Sequence, residues 1–157
     1  MEKETQTVNK KILLFILITG CFLSTLNQTL LNVALSHFMD AFHVTPSTVQ
    51  WLSTGFMLVN GVLVPITAFL MKRFTTRQLF ICSMLFLLIG SIICAVAPNF
   101  TLLLIGRMTQ AAGAGIIMPL MMSVVLVIFP IEKRGSAMGL IGFAIIFAPA
   151  IAPTLSG

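Results

Sequence analysis

The stretch from Thr101 to Phe129 reads TLLLIGRMTQAAGAGIIMPLMMSVVLVIF and contains a single charged residue, Arg107. A helix needs about 20 apolar residues to cross the roughly 30 Å of hydrocarbon in a bilayer, so this stretch is long enough to do so. A cation inside such a helix is costly and usually has a functional role. The stretch therefore predicts a membrane-spanning helix with a candidate functional residue inside it.

Four more apolar stretches of similar length flank this one. The composition agrees, since 58% of residues are hydrophobic and 8% are charged, and the mean hydropathy is +1.08. A soluble domain of this length needs far more charge to cover its surface. We therefore predict an all-α membrane protein embedded in a lipid bilayer. After an N-terminal tail over residues 1–11, its five spans lie at about 12–35, 48–71, 79–97, 101–129 and 137–157.

Basic residues are sorted to one side of these spans. Eight of the nine Lys and Arg residues fall on one side, and Arg107 is the ninth. The connections on the other side, around residues 36–47 and 98–99, contain no Lys or Arg. Lys and Arg resist translocation, so we predict a multi-pass protein whose N-terminal tail is cytoplasmic.

Several other classes of function are disfavoured. The net charge of +5 is scattered between apolar stretches, so we expect no nucleic-acid partner. Cys21, Cys82 and Cys94 suggest neither a disulfide framework nor a metal site. The spacing of His37, Asp40 and His43 would suit metal ligands on a helical turn, but we favour a solvated loop there. We expect no enzyme activity, cofactor or metal, because no nucleophile, base and orienting group converge.

Polar residues in the first span share one side. Ser24, Gln28 and Asn32 recur at four-residue spacing, and Asn27 lies beside them. Such spacing places side chains on one helical face. An amide that faces lipid has no partner, so this face should meet another helix or a water-filled cavity. Hydrogen bonding between helices and cavity lining both remain open.

Arg107 lies roughly 9 Å deep, about six residues from the outer end of its span. The four carboxylates, Glu2, Glu4, Asp40 and Glu132, all lie outside the spans. The candidate partners are therefore uncharged oxygens, among them those of Asn27, Gln28, Asn32 and Gln110. A purely structural role and a role in ion or substrate coupling both remain open.

Small residues mark expected close contacts between helices, because they let backbones approach. The fourth span has a group of them, namely Gly106, Ala111, Ala112, Gly113, Ala114 and Gly115. The fifth has a stripe of Ala144, Ala148, Ala152 and Ser156 beside two prolines, Pro149 and Pro153. Prolines four residues apart remove two backbone donors and should bend or loosen that helix. Tight packing and hinging are both compatible with this pattern.

Four segments resemble motifs of the major facilitator superfamily, in the right order and on the predicted sides. Within that superfamily they are similar to the fourteen-helix drug:proton antiporters, and nearest to the lincomycin-resistance type of bacterial multidrug efflux pump. The segments are LNQTLLNVAL at 26–35, AFLMKRFTTRQL at 68–79, LIGRMTQAAGAGIIMPL at 104–120 and APAIAPTLSG at 148–157.

This resemblance implies an incomplete amino-terminal bundle and proton-driven export of amphipathic small-molecule drugs across a bacterial inner or plasma membrane. It places Arg107 and Gln110 in a proton-coupling network and the polar face of the first span toward a cavity. It makes the loop with Lys72, Arg73 and Arg77 a cytoplasmic gate. The fifth-helix motif would bias the carrier toward export; it comprises Ala148, Pro149, Ala152, Pro153, Ser156 and Gly157.

Several positions depart from the family pattern. Asn27 replaces an aspartate found in many relatives, so the first span has no titratable proton carrier. Lys72 also replaces an aspartate, while Thr75 and Thr76 replace a glycine and a basic residue, which weakens the expected charge relay. Three small residues replace glycines of the fifth-helix motif and should make it less pliant; they are Ala148, Ala152 and Ser156.

The number of spans bears on activity, because this superfamily builds its substrate cavity between two bundles of six helices. Five spans predict the amino-terminal portion of a longer transporter, interrupted in the fifth helix and inactive by itself. The alternative is a complete small multi-pass protein that assembles with a partner membrane protein, for example through the stripe of small residues from Ala144 to Ser156.

Overall fold

Every regular element of the computed structural model is a helix within residues 10–156, whose backbone the structure describes. Side chains are described for residues 15–143, 145–147 and 149–151. Residues 1–9 of the predicted tail over 1–11 lie outside the described residues, as does the motif residue Gly157. The helices are α1 (Lys10–Val33), α2 (Leu35–Phe42), α3 (Pro46–Val49), α4 (Trp51–Leu70), α5 (Thr76–Ala95), α6 (Phe100–Ile128) and α7 (Ile131–Ser156).

Five helical segments are long and apolar enough to cross a membrane, which confirms the predicted class of fold. They are Phe15–Val33, Pro46–Leu70, Thr76–Ala95, Phe100–Ile128 and Ile131–Ile151. Large apolar side chains point outward from them, as lipid-facing side chains do: Phe15 is 71% exposed and Val127 is 81% exposed.

The connection after α1 is helical, so the expectation of a loop at His37, Asp40 and His43 is wrong, although all three residues are exposed. The first two residues lie in α2, and His43 ends it with a left-handed φ of 50°. The helix forms because its apolar residues recur every three or four positions and pack beside Val49, Leu52 and Leu103; these apolar residues are Leu35, Phe38, Met39 and Phe42. Among the described residues, no three His, Cys, Asp or Glu side chains are grouped as metal ligands.

The segment 131–136, which precedes the predicted fifth span, forms the first turns of α7 instead. Proline at position 130 cannot extend α6, but its carbonyl accepts the backbone N–H groups of Lys133 at 2.9 Å and Arg134 at 3.2 Å. The Arg134 guanidinium turns back, donating from Nη2 to the Leu126 carbonyl at 2.6 Å and from Nε to the Phe129 carbonyl at 3.0 Å. One arginine thus caps the end of α6.

Other helix starts follow ordinary capping chemistry. Thr45 caps the second span: its Oγ1 accepts from the Thr48 backbone N–H, and Pro46 occupies the first helical position. The Asn99 Oδ1 caps α6 by accepting from the Leu102 N–H at 2.9 Å. This cap fixes where α6 begins and therefore how deep Arg107 lies.

Helix α6 lies at the centre, packed most extensively against α5 and α4, while α1 packs on α7 and α6. The expected close contacts at its glycines are present. A Cβ added at Gly106 would lie 2.8 Å from Cys94 Sγ, and one at Gly113 would lie 2.5 Å from the Ser83 carbonyl oxygen. Glycine at these positions lets the backbone of α5 approach that of α6 closely.

The helix ends beside the basic segments meet at one end of the bundle. Near the start of α1, Leu17 packs with Val124 near the end of α6 and with Ala137 near the start of α7. Met71, just after α4, packs beside Leu79 of α5. We call this the basic end of the bundle.

Candidate functional site

The site is built around Arg107, which is 1% exposed in the second turn of α6. The absence of a side chain at Gly106 brings α5 against α6 beside it, which excludes lipid and solvent. The described carboxylates, Asp40 in α2 and Glu132 in α7, stand at opposite ends of the bundle. The guanidinium is therefore buried without a counter-charge in the described part of the chain.

Two uncharged oxygens bind the guanidinium. Nη1 donates to Gln110 Oε1 at 3.1 Å, one helical turn along α6. Nη2 donates to the backbone carbonyl of Gln28 in α1 at 3.5 Å. Both residues were candidate partners from the sequence, and the bond to the Gln28 carbonyl ties α6 to α1.

The third partner is an aromatic ring. The Cζ of Arg107 lies 4.4 Å from the centroid of the Phe56 ring in α4, and Phe56 is 2% exposed. A cation over a desolvated ring gains about 2 kcal/mol, because the face of the ring is negative. Nε of Arg107 is buried without a hydrogen-bond partner in the described part of the chain. One of the three guanidinium nitrogens thus makes no hydrogen bond to any described residue.

Gln110 extends the network to α5. Its Nε2 donates to Ser91 Oγ at 2.9 Å, and Asn27 Nδ2 of α1 approaches the same oxygen at 3.5 Å. The Ser91 hydroxyl in turn donates to the Leu87 carbonyl at 2.7 Å. The chain of hydrogen bonds therefore has a direction: Arg107 fixes the orientation of the Gln110 amide, and both amides direct N–H groups at Ser91.

The four polar residues predicted on one face of α1 do not form a single site. Asn27 contacts α5, whereas Asn32 Oδ1 accepts from Ser53 Oγ of α4 at 3.1 Å. Gln28 contributes its backbone carbonyl. Ser24 is half-buried one turn away and makes no hydrogen bond to the network.

A hollow of about 310 Å³ adjoins the polar network on the side away from the basic end. Asn27, Ser91 and Gln110 form its polar wall, and the rest of its lining is apolar apart from a cysteine: Leu30, Leu31, Ala34, Phe38, Cys94, Ala95 and Leu103. The network is therefore not sealed in the core, because its amides border open space.

The predicted gate loop lies at the basic end, away from this network. Lys72, Arg73 and Arg77 are all exposed, and the Arg73 guanidinium lies 5.1 Å from the Phe69 ring centroid. Arg77 lines a mainly apolar hollow of about 500 Å³ between the starts of α1 and α5 and the end of α6. The loop and Arg107 are thus two separate places in the bundle.

Most of the fifth-helix motif lies outside the described side chains, namely those of Ala148, Ala152, Pro153 and Ser156. Pro149 is exposed, and α7 continues as a helix past both prolines to Ser156. The hinge suggested for this helix stays a prediction.

Phe56 and Ser91 could not be recognised as parts of the site from the sequence. Phe56 is one of 13 phenylalanines, and no local pattern marks which of them faces a cation on another helix. Ser91 carries a weak signal, since it is a hydroxyl within an apolar span and needs a partner there.

The arrangement can hold a permanent positive charge and present N–H donors. Amides, a hydroxyl and a phenyl ring do not take up protons in the physiological range. The described network therefore positions charge, and a titratable proton carrier is not among its residues.

Comparison with known proteins gives matches along almost the whole chain. The family model described as Major Facilitator Superfamily matches residues 17–157. An uncharacterized MFS-type transporter of Bacillus subtilis, YhcA, is 54% identical over 99% of this chain and 29% of its own length. The lincomycin resistance protein LmrB of the same organism is 50% identical over 93% of this chain and 30% of its own length. The chain thus spans less than a third of these two relatives.

A solved structure shares the fold. The bacterial homolog of the human lysosomal transporter Spinster, in an inward-facing and unoccupied conformation, aligns with a TM-score of 0.78 at 18% identity. The alignment covers 96% of this chain and 31% of that one. The packing of the five spanning helices is therefore that of one part of a larger transporter fold.

Proposed function

Because the chain belongs to the Major Facilitator Superfamily, we propose that it is the amino-terminal portion of a proton-coupled efflux transporter for amphipathic drugs. In such carriers, two bundles rock about a site near the middle of the membrane. Similarity to a relative named for lincomycin resistance supports drugs as the substrate class. Under this proposal the basic end faces the cytoplasm of a bacterial cell.

The observation that carries the proposal is the Arg107 network. A cation 1% exposed in a membrane-spanning helix is expensive to maintain, and a purely structural contact could be made by an apolar residue. Arg107 instead joins α1, α4, α5 and α6 through Gln28, Phe56, Gln110 and Ser91. A charge held by four helices senses any change in how they pack, as coupling requires.

The test is exchange of Arg107 in the complete transporter. Arg107→Ala should abolish efflux driven by a pH gradient, measured with a fluorescent drug in everted membrane vesicles. Lys133→Ala is the matched control, because it removes an exposed cation at the basic end and should leave efflux unchanged. Unchanged efflux by Arg107→Ala at normal abundance in the membrane would refute the coupling role.

The same proposal gives roles to the proton carrier, the basic loop, the fifth-helix motif and the polar face of α1. The proton-carrying carboxylate lies in another part of the transporter, because the described carboxylates, Asp40 and Glu132, stand at the ends of the bundle. The loop with Lys72, Arg73 and Arg77 gates the cytoplasmic side, and the motif over residues 148–157 favours export. Asn27 and its neighbours on α1 border the substrate path.

These 157 residues are proposed not to transport by themselves, because a path between two bundles needs both. Drug efflux would be compared between cells that make this chain alone and cells with an empty vector. Efflux above the empty-vector level would overturn this part of the proposal.

A further inference from the structure

We propose that the part of the substrate path built from these helices favours neutral and anionic amphiphiles over lipophilic cations. The inference rests on the proposed function in one respect, that the chain belongs to a carrier of amphipathic small molecules. It names the charge class of the substrate, and it is argued from the charges and hydrogen-bond directions around Arg107.

The first observation is the balance of charge inside the bundle. Arg107 is buried at 1% exposure, and the described carboxylates Asp40 and Glu132 lie at the two ends. Its contacts are an amide oxygen, a backbone carbonyl and a phenyl ring. Such dipoles stabilise a cation but leave its net charge in place, so the interior of the bundle keeps a positive potential.

The second observation is the direction of the hydrogen bonds. Gln110 gives its oxygen to Arg107 and its N–H to Ser91, and Asn27 also directs an N–H toward Ser91. The Ser91 hydroxyl hydrogen is committed to the Leu87 carbonyl. The groups that remain free near the hollow of about 310 Å³ are the second N–H of each amide and the Asn27 Oδ1 oxygen. Two of these three groups are donors, which suit a carbonyl, a sulfonyl or a carboxylate oxygen.

The size of the effect follows from Coulomb's law. At about 10 Å and an effective dielectric constant of about 20, one elementary charge changes the binding constant of a monovalent ion by roughly tenfold. The change is favourable for an anion and unfavourable for a cation. Two ions of equal shape and opposite charge should therefore differ by about a hundredfold through Arg107.

Tetraphenylborate and tetraphenylphosphonium are such a pair. Their Kd values would be measured by equilibrium dialysis with the purified complete transporter in detergent, where no membrane potential acts on them. The ratio of the two Kd values is compared between variants, so that partitioning into micelles cancels. Arg107→Gln should shift the ratio about a hundredfold toward the phosphonium ion. Arg107→Lys, which keeps the charge, should shift it less than threefold.

A second variant keeps the test decisive if Arg107→Gln fails to fold. Asn27→Asp adds a carboxylate to the same network while Arg107 stays, and should move the ratio in the same direction by at least tenfold. Lys133→Gln is the control, because it removes an exposed cation that water and salt screen. The ratio of the two Kd values in this variant should match that of the wild type.

The proposal would be overturned if the ratio of the two Kd values stayed within threefold of wild type in every folded variant of Arg107 and Asn27. It would also be overturned if the wild type bound neither ion saturably. The measurement uses no proton gradient. Failure of pH-driven efflux to depend on Arg107 would therefore refute the proposed coupling and leave this inference standing, and the reverse also holds.

Discussion

At the scale of single residues, the bundle solves one problem: how to keep an arginine charged in a low-dielectric interior without a carboxylate. The energy of an unpaired buried cation is prohibitive, so the charge must be dispersed over dipoles. Arg107 reaches two oxygens and the face of Phe56. The ring replaces part of the hydration that the guanidinium has lost.

Phe56 and Arg107 should therefore be strongly coupled in stability. A double-mutant cycle with Phe56→Leu and Arg107→Gln should give a coupling free energy of about 2 kcal/mol, since the pair is desolvated. The measurement is unfolding of the purified chain in mixed micelles, followed by circular dichroism.

A second cation–π pair, at the other end of α4, supplies the control for this cycle. Phe69 and Arg73 also form a cation–π pair, at 5.1 Å, but Phe69 is 55% exposed. The cycle with Phe69→Leu and Arg73→Gln should give no more than about 0.5 kcal/mol. Equal coupling in both cycles would show that burial does not strengthen the contact at Phe56.

At the scale of helices, glycines decide which neighbours α6 can accept. Gly113 faces the Ser83 carbonyl of α5, and Gly115 lies where a Cβ would approach the Leu63 Cβ of α4 at 2.9 Å. Two neighbouring glycines thus admit two different helices. In lipid, where apolar burial gives no net gain, such close backbone packing is a main source of association.

Gly113→Ala should destabilise the bundle by about 1–3 kcal/mol, because the added Cβ would lie 2.5 Å from a backbone oxygen that cannot move aside. The matched control is Gly61→Ala in α4, where a Cβ meets nothing within 4 Å. That exchange should be neutral or stabilising by up to about 1 kcal/mol, through helix propensity. Unfolding in mixed micelles measures both, and equal effects would contradict the packing argument.

The turn between α6 and α7 depends on Arg134, which binds the Leu126 and Phe129 carbonyls. Arg134→Ala should loosen the last turn of α6 and speed amide hydrogen exchange at Phe129 roughly tenfold, because a charge-assisted cap is lost. Lys133→Ala removes the neighbouring exposed cation and should leave exchange as it was. Equal protection in both variants would rule out the cap.

At the scale of the whole molecule, the helices alternate so that the helix ends beside the basic segments meet at one end of the bundle. The loop with Lys72 and Arg73 and the start of α7 lie there, while the connection through α2 lies at the other end. If charge sets the orientation, the basic end remains in the cytoplasm.

Single cysteines test that orientation, in a background without the native Cys21, Cys82 and Cys94. Arg73→Cys and Lys133→Cys should resist a membrane-impermeant maleimide in intact cells and react after permeabilisation. His37→Cys should react in intact cells, because α2 lies at the opposite end. Labelling of position 73 and position 133 from opposite sides would refute the topology.

The class of fold was predictable from the sequence, because the bilayer sets the length of the spans and the sorting of charge whatever the packing of the helices. The sequence also marked Arg107, since a cation in an apolar stretch is conspicuous in one dimension. The helix after α1 was predicted as a loop. Its apolar residues recur with helical spacing, but short connections between spans are more often loops. The start of α7 was missed because the Pro130 carbonyl initiates a helix in a charged segment.

Tertiary structure alone decided what surrounds the arginine. Phe56 precedes Arg107 by 51 positions and Ser91 precedes it by 16, and both meet its network because of how α4 and α5 cross α6. Helix packing also separates the polar residues of α1, because Asn27 contacts α5 and Asn32 contacts α4. A helical pattern fixes which side chains share a face, but the neighbour that each meets depends on where the other helices pack.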